Sequence, residues 1–409
     1  MSIMDAIERI YQEQSRRVLA TLIRLLGDFV LAEEAMQEAF TAALHQWPGE
    51  GVPDNPAAWL IRIGQRRGID QIRRKQTARQ HAHLLEQPDD TQETLDEQSI
   101  EDDQLRLLFT CCHPSLSPDA RIALTLREMC GLTTEQVARA LLQKPATLAQ
   151  RIVRAKRKIR QDRIPYEVPE ARALPERLPG VLRVIYLVFN EGYSRSDGEV
   201  IVDVSLSAEA IRLAESLVGQ LPEGEVFGLL SLMLLQDSRR YARQDEHGDL
   251  VTLDEQNRTL WDGDNIRSGL VWLEQALART PAGPYTLQAS IAATHAQAGV
   301  AEDTDWARIV RLYEALYRQQ PSPVIALNRA VATAMRDTPA DGLRLLDELA
   351  SEKAIHTYHF FHAARADLYR RNGNVEQARS AYERALALSA QGPEQRFLQR
   401  RLDELTGQS

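Results

Sequence analysis

The sequence predicts an all-α fold in which two small helical domains, the second a helix-turn-helix, precede a long helical-repeat half. Three observations predict it. Apolar residues recur at spacings of three and four through most of the chain. No long stretch alternates apolar and polar residues as a half-buried strand would. Clusters of Pro and Gly cut the chain at helix-sized intervals.

At 409 residues the chain exceeds one ordinary core, so two to four domains are expected. Its longest apolar segments, around Val181 to Phe189 and Phe227 to Leu235, fall well short of the roughly 20 residues that a membrane span needs. The opening MSIMDAIERIYQEQ has neither the basic start nor the apolar core of a signal peptide, so a soluble, cytoplasmic protein without a membrane partner is expected. Cys111, Cys112 and Cys130 are too few and too crowded to staple such a chain, and reduced thiols are expected.

Residues 5 to 47 read as two or three amphipathic helices broken near Gly27 and Asp28. The run PGEGVPDNP at 48–56 is a loop, because three prolines and two glycines in nine residues cannot continue a helix. A helix follows from about Ala57 to Gln76, with Trp59, Ile63 and Ile72 available to its inner face. Residues 77–103 are polar, acidic and poor in aromatics, and read as a linker.

A compact helical unit restarts at about 104. Ser117 and Pro118 supply an N-cap and a first-turn proline for a helix to Cys130, which Gly131 ends. Thr133 and Gln136 form a capping box for a short helix over 134–142, and a third helix runs from about 145 to Gln161. Two short helices in tight succession, the second strongly basic, are a helix-turn-helix signature. Pro165, Pro169, Pro175 and Pro179 then mark a junction at 164–180.

From 181 to 405 the chain reads as helical to its end, with breaks at 281–284 and 321–323. Ala366, Tyr369, Gly373, Ala378, Tyr382 and Ala385 match the small-and-aromatic spacing of a tetratricopeptide unit. Two weaker copies begin at Ala292 and Ala330, so successive starts lie 38 and 36 residues apart within about 285–390. That exceeds the usual period of about 34 and implies degenerate units.

Charge is unevenly distributed although the net charge is only −9. Between Arg62 and Lys75 there are six basic residues and one acid, and between Lys144 and Arg163 eight and one. Glu86 to Asp103 holds nine acids and no Lys or Arg. In the third helix of the basic unit, Leu148, Ile152, Ala155 and Ile159 make one apolar stripe. Thr147, Gln150, Arg151, Arg154 and Lys158 then fall on the other side, where a helix in a major groove needs fork-shaped donors. A solvated basic helix is the plainer alternative, and the capped partner helix in front favours the groove reader. The arginines of helix 57–76 suit phosphate neutralisation, although a charged surface helix would look similar. Cys111-Cys112-His113 lacks the two-residue spacing of a metal site, and Glu191 with Asp197 has no accompanying nucleophile or phosphate loop. No metal, cofactor or enzyme activity is expected.

Asp28, Ala32, Glu33, Glu34, Gln37, Glu38, Phe40, Trp47, Trp59 and the run Asp70 to Arg74 resemble the second conserved region of extracytoplasmic-function (ECF) sigma factors. The segment Gly131 to Ala138 followed by Thr147 to Lys158 is similar to the promoter-reading helix-turn-helix of their fourth region, with Pro145 and Ala149 standing where small or basic residues are more typical. Phe109 to Pro114, Phe189 to Tyr193, Gly283 to Tyr285, Thr304 to Trp306 and Leu327 to Ala330 resemble a subgroup carrying a tetratricopeptide-containing C-terminal extension.

The resemblance implies core RNA polymerase and promoter DNA as partners. Residues 1–76 would form region 2, with Glu33, Glu34, Gln37 and Glu38 on the polymerase clamp. Asn55, Trp59, Arg62, Arg66, Arg67, Arg73 and Arg74 would lie on the minus-ten element. Residues 104–163 would form region 4, with Lys144, Thr147, Gln150, Arg151, Arg154 and Lys158 on the minus-thirty-five element. The acidic linker would occupy a basic channel built for RNA, and the extension would regulate in cis or hold a protein or peptide partner. Two rivals remain open at this stage: a helix-turn-helix regulator that binds DNA without polymerase, and a repeat scaffold whose basic helices are incidental.

Overall fold

A computed structural model describes residues 3–79, 97–141, 143–193, 204–279, 281–352, 355–389 and 392–406. Among them are eighteen α-helices and no strand. The one β pairing there is an isolated antiparallel bridge between Gln244 and Leu250. The all-α expectation holds. The chain divides into two compact units, Met1–Val184 and Ile185–Ser409.

In the first unit, α1 (Ile3–Leu26) ends where the Gly27 N–H returns to the Ile23 carbonyl at 2.9 Å. The Asp28 carboxylate then accepts from the Val30 and Leu31 N–H groups at 2.9 and 3.0 Å, which starts α2 (Phe29–Glu50). The predicted break at 48–56 begins only at Gly51, because Pro48 keeps a helical φ in the last turn of α2 and the Gly51 N–H closes that turn on Trp47. Asn55 caps α3 (Pro56–Arg79) by accepting from the Ala58 N–H at 3.0 Å. Gly64 and Gly68 let α3 lie close on α1, since a Cβ at either would stand 2.8 and 2.5 Å from Leu22 and Leu26 methyls.

The linker expected at 77–103 is helical at both of its described ends, and residues 80–96 lie outside the described residues. Helix α4 (Glu97–Cys111) begins inside it. The acidic composition concealed a packed helix: Asp103 is fully buried and accepts from Arg24 Nε at 2.8 Å and Arg106 at 2.6 Å, ahead of buried Leu105, Leu107 and Leu108. The helix expected over 118–130 is α5 (Pro118–Leu124) followed by a π turn at Thr125–Met129. The Ser117 hydroxyl caps it, accepting from Ala120 at 3.4 Å.

Helix α6 (Thr134–Ala140) opens on the expected reciprocal box. The Thr133 N–H donates to Gln136 Oε1 at 2.7 Å and the Gln136 N–H to Thr133 Oγ1 at 3.2 Å. Helix α7 (Pro145–Gln161) follows, with Leu148, Ile152, Ala155 and Ile159 buried as the stripe requires. The junction expected at 164–180 is packed rather than free. Tyr166 donates to the Ala20 carbonyl at 2.7 Å, and α8 (Leu174–Tyr193) starts within it because Pro175 occupies a first-turn position where no N–H is needed.

The boundary between the units falls within α8. In the second unit, α9 (Val204–Gln220) precedes α10 (Gly224–Asp237), which is apolar all round and buried from Val226 to Leu235. The extension is not helical throughout. Residues 238–262 form short turns and the Gln244–Leu250 bridge, because the Asp245 carboxylate accepts from the His247 and Asp249 N–H groups and turns the chain. Helices α11 (Gly263–Leu277), α12 (Pro284–Gln297), α13 (Trp306–Gln319), α14 (Pro323–Arg336), α15 (Pro339–Leu349), α16 (His359–Arg371), α17 (Val375–Leu388) and α18 (Gly392–Thr406) complete it. The repeat spacing predicted at 366–385 corresponds to the α16–α17 hairpin, whose core joins Ala366, Ala378, Tyr382 and Ala385 to Leu398 and Leu405.

Candidate functional site

The predicted groove reader, α7, presents two unlike faces. Leu148, Ile152, Ala155 and Ile159 hold one face in the core, so the helical repeat turns Lys144, Thr147, Gln150, Arg154 and Lys158 outward, where all are exposed. Arg151 differs. It lies half-buried, donating to Gln143 Oε1 at 2.6 Å and lying 3.5 Å from Asp119, which braces α7 against the preceding turn and α5. Lys158 is paired with Asp162 at 2.5 Å one turn on, while Arg154 has no ion pair among the described residues.

On α3, Arg62, Arg66, Arg67, Arg73 and Arg74 are exposed. Trp59 is only half-exposed because it packs edge-to-face on the buried Trp47, ring centroids 5.3 Å apart. Asn55 is exposed, but its amide oxygen is occupied by the cap of α3. Together α3 and the outer face of α7 are the two basic surfaces that the charge pattern foretold.

The acidic face of α2 is less open than the sequence suggests. Gln37 and Glu38 are exposed, and Glu38 lies 3.9 Å from Arg67. Glu34, which the resemblance places on the polymerase clamp, is half-buried and accepts from Gln71 Nε2 at 2.7 Å. Glu33 is engaged inside the unit: Lys156 of α7 donates to it at 2.8 Å, and Arg127 lies 3.8 Å away.

Lys156 is the residue that sequence reasoning missed. It is nearly buried, with Glu33 on one side and Glu128, 1% exposed, at 2.9 Å on the other. Burial alone would depress its ammonium, but Glu128 and Glu33 overcome that and hold it above its ordinary value. The same burial raises the Glu128 carboxyl, an effect that Lys156 opposes. Arg160 reaches Asp28 at 3.1 Å and Arg16 donates to the Cys130 carbonyl at 2.7 Å. The inner side of α7 and the turn before α6 are therefore fastened to α1 and α2. The sole sequence signal was a lysine adjoining an apolar stripe.

The cysteines are structural. All three are buried, and Cys112 Sγ lies 3.6 Å from Thr125 Oγ1. Burial pushes the Cys111 thiol well up and that of Cys112 to about 11, which disfavours the thiolate at both. No described helix is long and apolar enough to cross a membrane.

Comparison with known proteins agrees with this division. Residues 10–78 match Sigma-70 region 2, residues 106–159 match Sigma-70 region 4, and residues 177–277 match a family of unknown function, DUF6596. An uncharacterized protein of Rhizobium meliloti (strain 1021) is 42% identical over 96% of this chain and 94% of its own. An ECF RNA polymerase sigma factor, SigK of Mycobacterium sp. (strain KMS), is 30% identical over 36% of this chain and 78% of its own length. A probable ECF RNA polymerase sigma factor, SigI of Mycobacterium tuberculosis (strain ATCC 25618 / H37Rv), is 27% identical over 50% of this chain and 68% of its own.

Proposed function

The chain belongs to the ECF RNA polymerase sigma factors, and from that premise we propose that it binds core RNA polymerase and directs it to promoters whose minus-thirty-five element is read by the outer face of α7. The observation that carries this reading is the division of α7. Its apolar stripe is buried behind a capped helix, and Lys144, Thr147, Gln150 and Arg154 are exposed opposite. Arg151 and Lys158 lie beside them as positioning contacts to bases or phosphate.

In the same proposal, Asn55, Trp59 and the arginines 62, 66, 67, 73 and 74 grip the minus-ten element, where a half-exposed aromatic ring suits an unstacked base. Glu34, Gln37 and Glu38 face the polymerase clamp. Glu33 joins them only when α7 leaves α2, because its carboxylate is held by Lys156 in the packed unit. Residues 77–103 connect the two modules across the enzyme. The function is one of binding rather than catalysis.

The second unit acts in cis on initiation through tetratricopeptide-like hairpins, of which α16–α17 is the best formed. The sensible place to separate it is after Val184, where the first unit ends, because a cut after Arg163 would remove the Tyr166 contact with Ala20.

The test is a titration of labelled protein against purified core polymerase, with Glu38→Lys compared to the parent. Weaker binding with unchanged helicity is expected, and unchanged affinity would reject the clamp assignment. In vitro transcription with the full chain and with residues 1–184 then tests cis regulation, for which a gain or a loss of activity is expected and equality is the refuting result.

A further inference from the structure

Two cavities among the described residues of the second unit treat charge in opposite ways. The larger, about 600 Å³, is bordered by cations that the protein neutralises itself. Arg371 pairs with Asp254, Arg370 with Asp367 and Arg401 with Glu255. The smaller, about 310 Å³, lies among α8, α10, α12, α13 and α14, and has a cation without such a partner.

That cation is Arg239. It is half-buried on the cavity wall, and no carboxylate among the described residues lies within ion-pair distance of it. Its contact with the Tyr193 ring, 5.9 Å to the centroid, is weak. Its neighbour Arg240 is instead paired with Asp237, so the fold supplies an acid to one arginine and withholds it from the next.

A second guanidinium adds to the field. Arg258 stacks on Trp261, 4.0 Å to the ring centroid, and donates to the His295 carbonyl at 3.1 Å, but its buried Nε has no acceptor. His295 lines the cavity and is kept neutral, since burial together with Arg239 and Arg258 lowers it to about 4. Two lining side chains also carry buried polar atoms with no partner, the indole N–H of Trp261, itself 9% exposed, and Gln236 Oε1. An unmet donor and an unmet acceptor buried in the wall of such a chamber each cost stability unless something fills them. Leu235, Ile291 and Tyr313 supply the apolar wall. A chamber of mixed apolar and polar wall that gathers an unpaired cation and unmet polar groups suits a small charged molecule, and this one is at the lower end of the usual size for a small-molecule site.

We propose that this cavity binds a small organic anion, its carboxylate or phosphate on Arg239, its apolar body against Leu235 and Ile291, and a polar substituent at Gln236 and Trp261. The occupant is a compact acid rather than a peptide, because the space holds a ring or a short chain and no more. The assignment does not depend on what α7 or α2 bind.

The experiment is equilibrium titration of the full chain, without polymerase or DNA, followed by tryptophan fluorescence and checked by calorimetry. Three probes of one shape are used: benzoate, phenyl phosphate and the uncharged benzamide. Saturable binding of at least one anion, about tenfold or more tighter than benzamide, is expected from one charge-assisted contact. Binding of benzoate alone assigns carboxylates, and binding of phenyl phosphate alone assigns phosphate esters. Arg239→Met should remove the preference for the anion. Gln288→Trp, at a half-exposed position that lines this cavity and not the larger one, should block entry for all three probes and keeps the test decisive if the arginine variant fails to fold. The proposal is overturned if neither anion saturates, if benzamide binds as tightly, or if the folded variants bind like the parent.

Discussion

Lys156 of α7 donates to Glu33 of α2 at 2.8 Å across 123 residues of chain, and the same ammonium lies 2.9 Å from Glu128. This contact joins the helix carrying the outward basic face to the helix carrying the acidic one. It also decides which acidic residues of α2 are available while the unit is packed.

Removing the ammonium should therefore be costly. Lys156→Met leaves Glu128 buried without its cation, and breaking a buried pair in this way typically costs about 3–5 kcal/mol. Adding Glu128→Leu should recover most of that loss, since a buried pair replaced by apolar groups is often neutral. Urea unfolding of the three proteins measures both steps. A Lys156→Met variant as stable as the parent would show that the pair contributes nothing.

The outer face of α7 makes a separate prediction. Arg154 is exposed and without an ion pair among the described residues, whereas Arg151 is braced by Gln143 and Asp119. Arg154→Ala should cost about 1–3 kcal/mol of promoter binding and relax preference at one base pair. Arg151→Ala should instead lower stability slightly and weaken all promoters alike. Binding curves on a promoter set altered one position at a time distinguish these, and a uniform loss for Arg154→Ala would demote it to phosphate contact.

His295 predicts a pH dependence. Its folded value lies near 4, below the ordinary 6.5, because of burial, Arg239 and Arg258. The unfolded chain therefore binds more protons between those values, so stability is lost as pH falls from about 6.5 towards 4. At about 1.4 kcal/mol per unit, the full difference amounts to roughly 3 kcal/mol. Histidine-to-glutamine replacement, His295→Gln, should flatten that part of the profile. Melts of parent and variant across this range provide the measurement, and parallel profiles would contradict the burial of a neutral ring.

Close packing in the second unit can be tested at Gly342. A Cβ there would stand 2.4 Å from the Ala334 Cβ and 3.0 Å from the Ala330 carbonyl oxygen, so α14 and α15 would have to part. Gly342→Ala should destabilise by about 1–3 kcal/mol through overpacking, despite the better helix propensity of alanine. Thermal unfolding reads this, and a stabilised variant would mean that the hairpin yields freely.

Local order was legible in the chain because local order is local chemistry. The box of Thr133 and Gln136, the cap at Ser117, the stripe from Leu148 to Ile159 and the small residues of the α16–α17 hairpin each depend on groups within a few turns of one another. The basic and acidic runs could be counted directly. Composition misled where charge and burial part company, as at Asp103, an acid in an apparent linker that is fully buried on Arg24. The sequence by itself therefore determined an all-helical chain, the buried and exposed faces of α7 and the sigma-like order of its first two modules. Only the tertiary structure decided that Lys156 would find Glu33, and that Arg239 would share a cavity with Gln236, Trp261 and His295. Lys156 and Glu33, and likewise Arg239 with Trp261 and His295, come from separate segments and match no spacing, because their proximity is created by the packing of helices against one another and the Coulomb and desolvation energies that fix their charges exist only after that packing is complete.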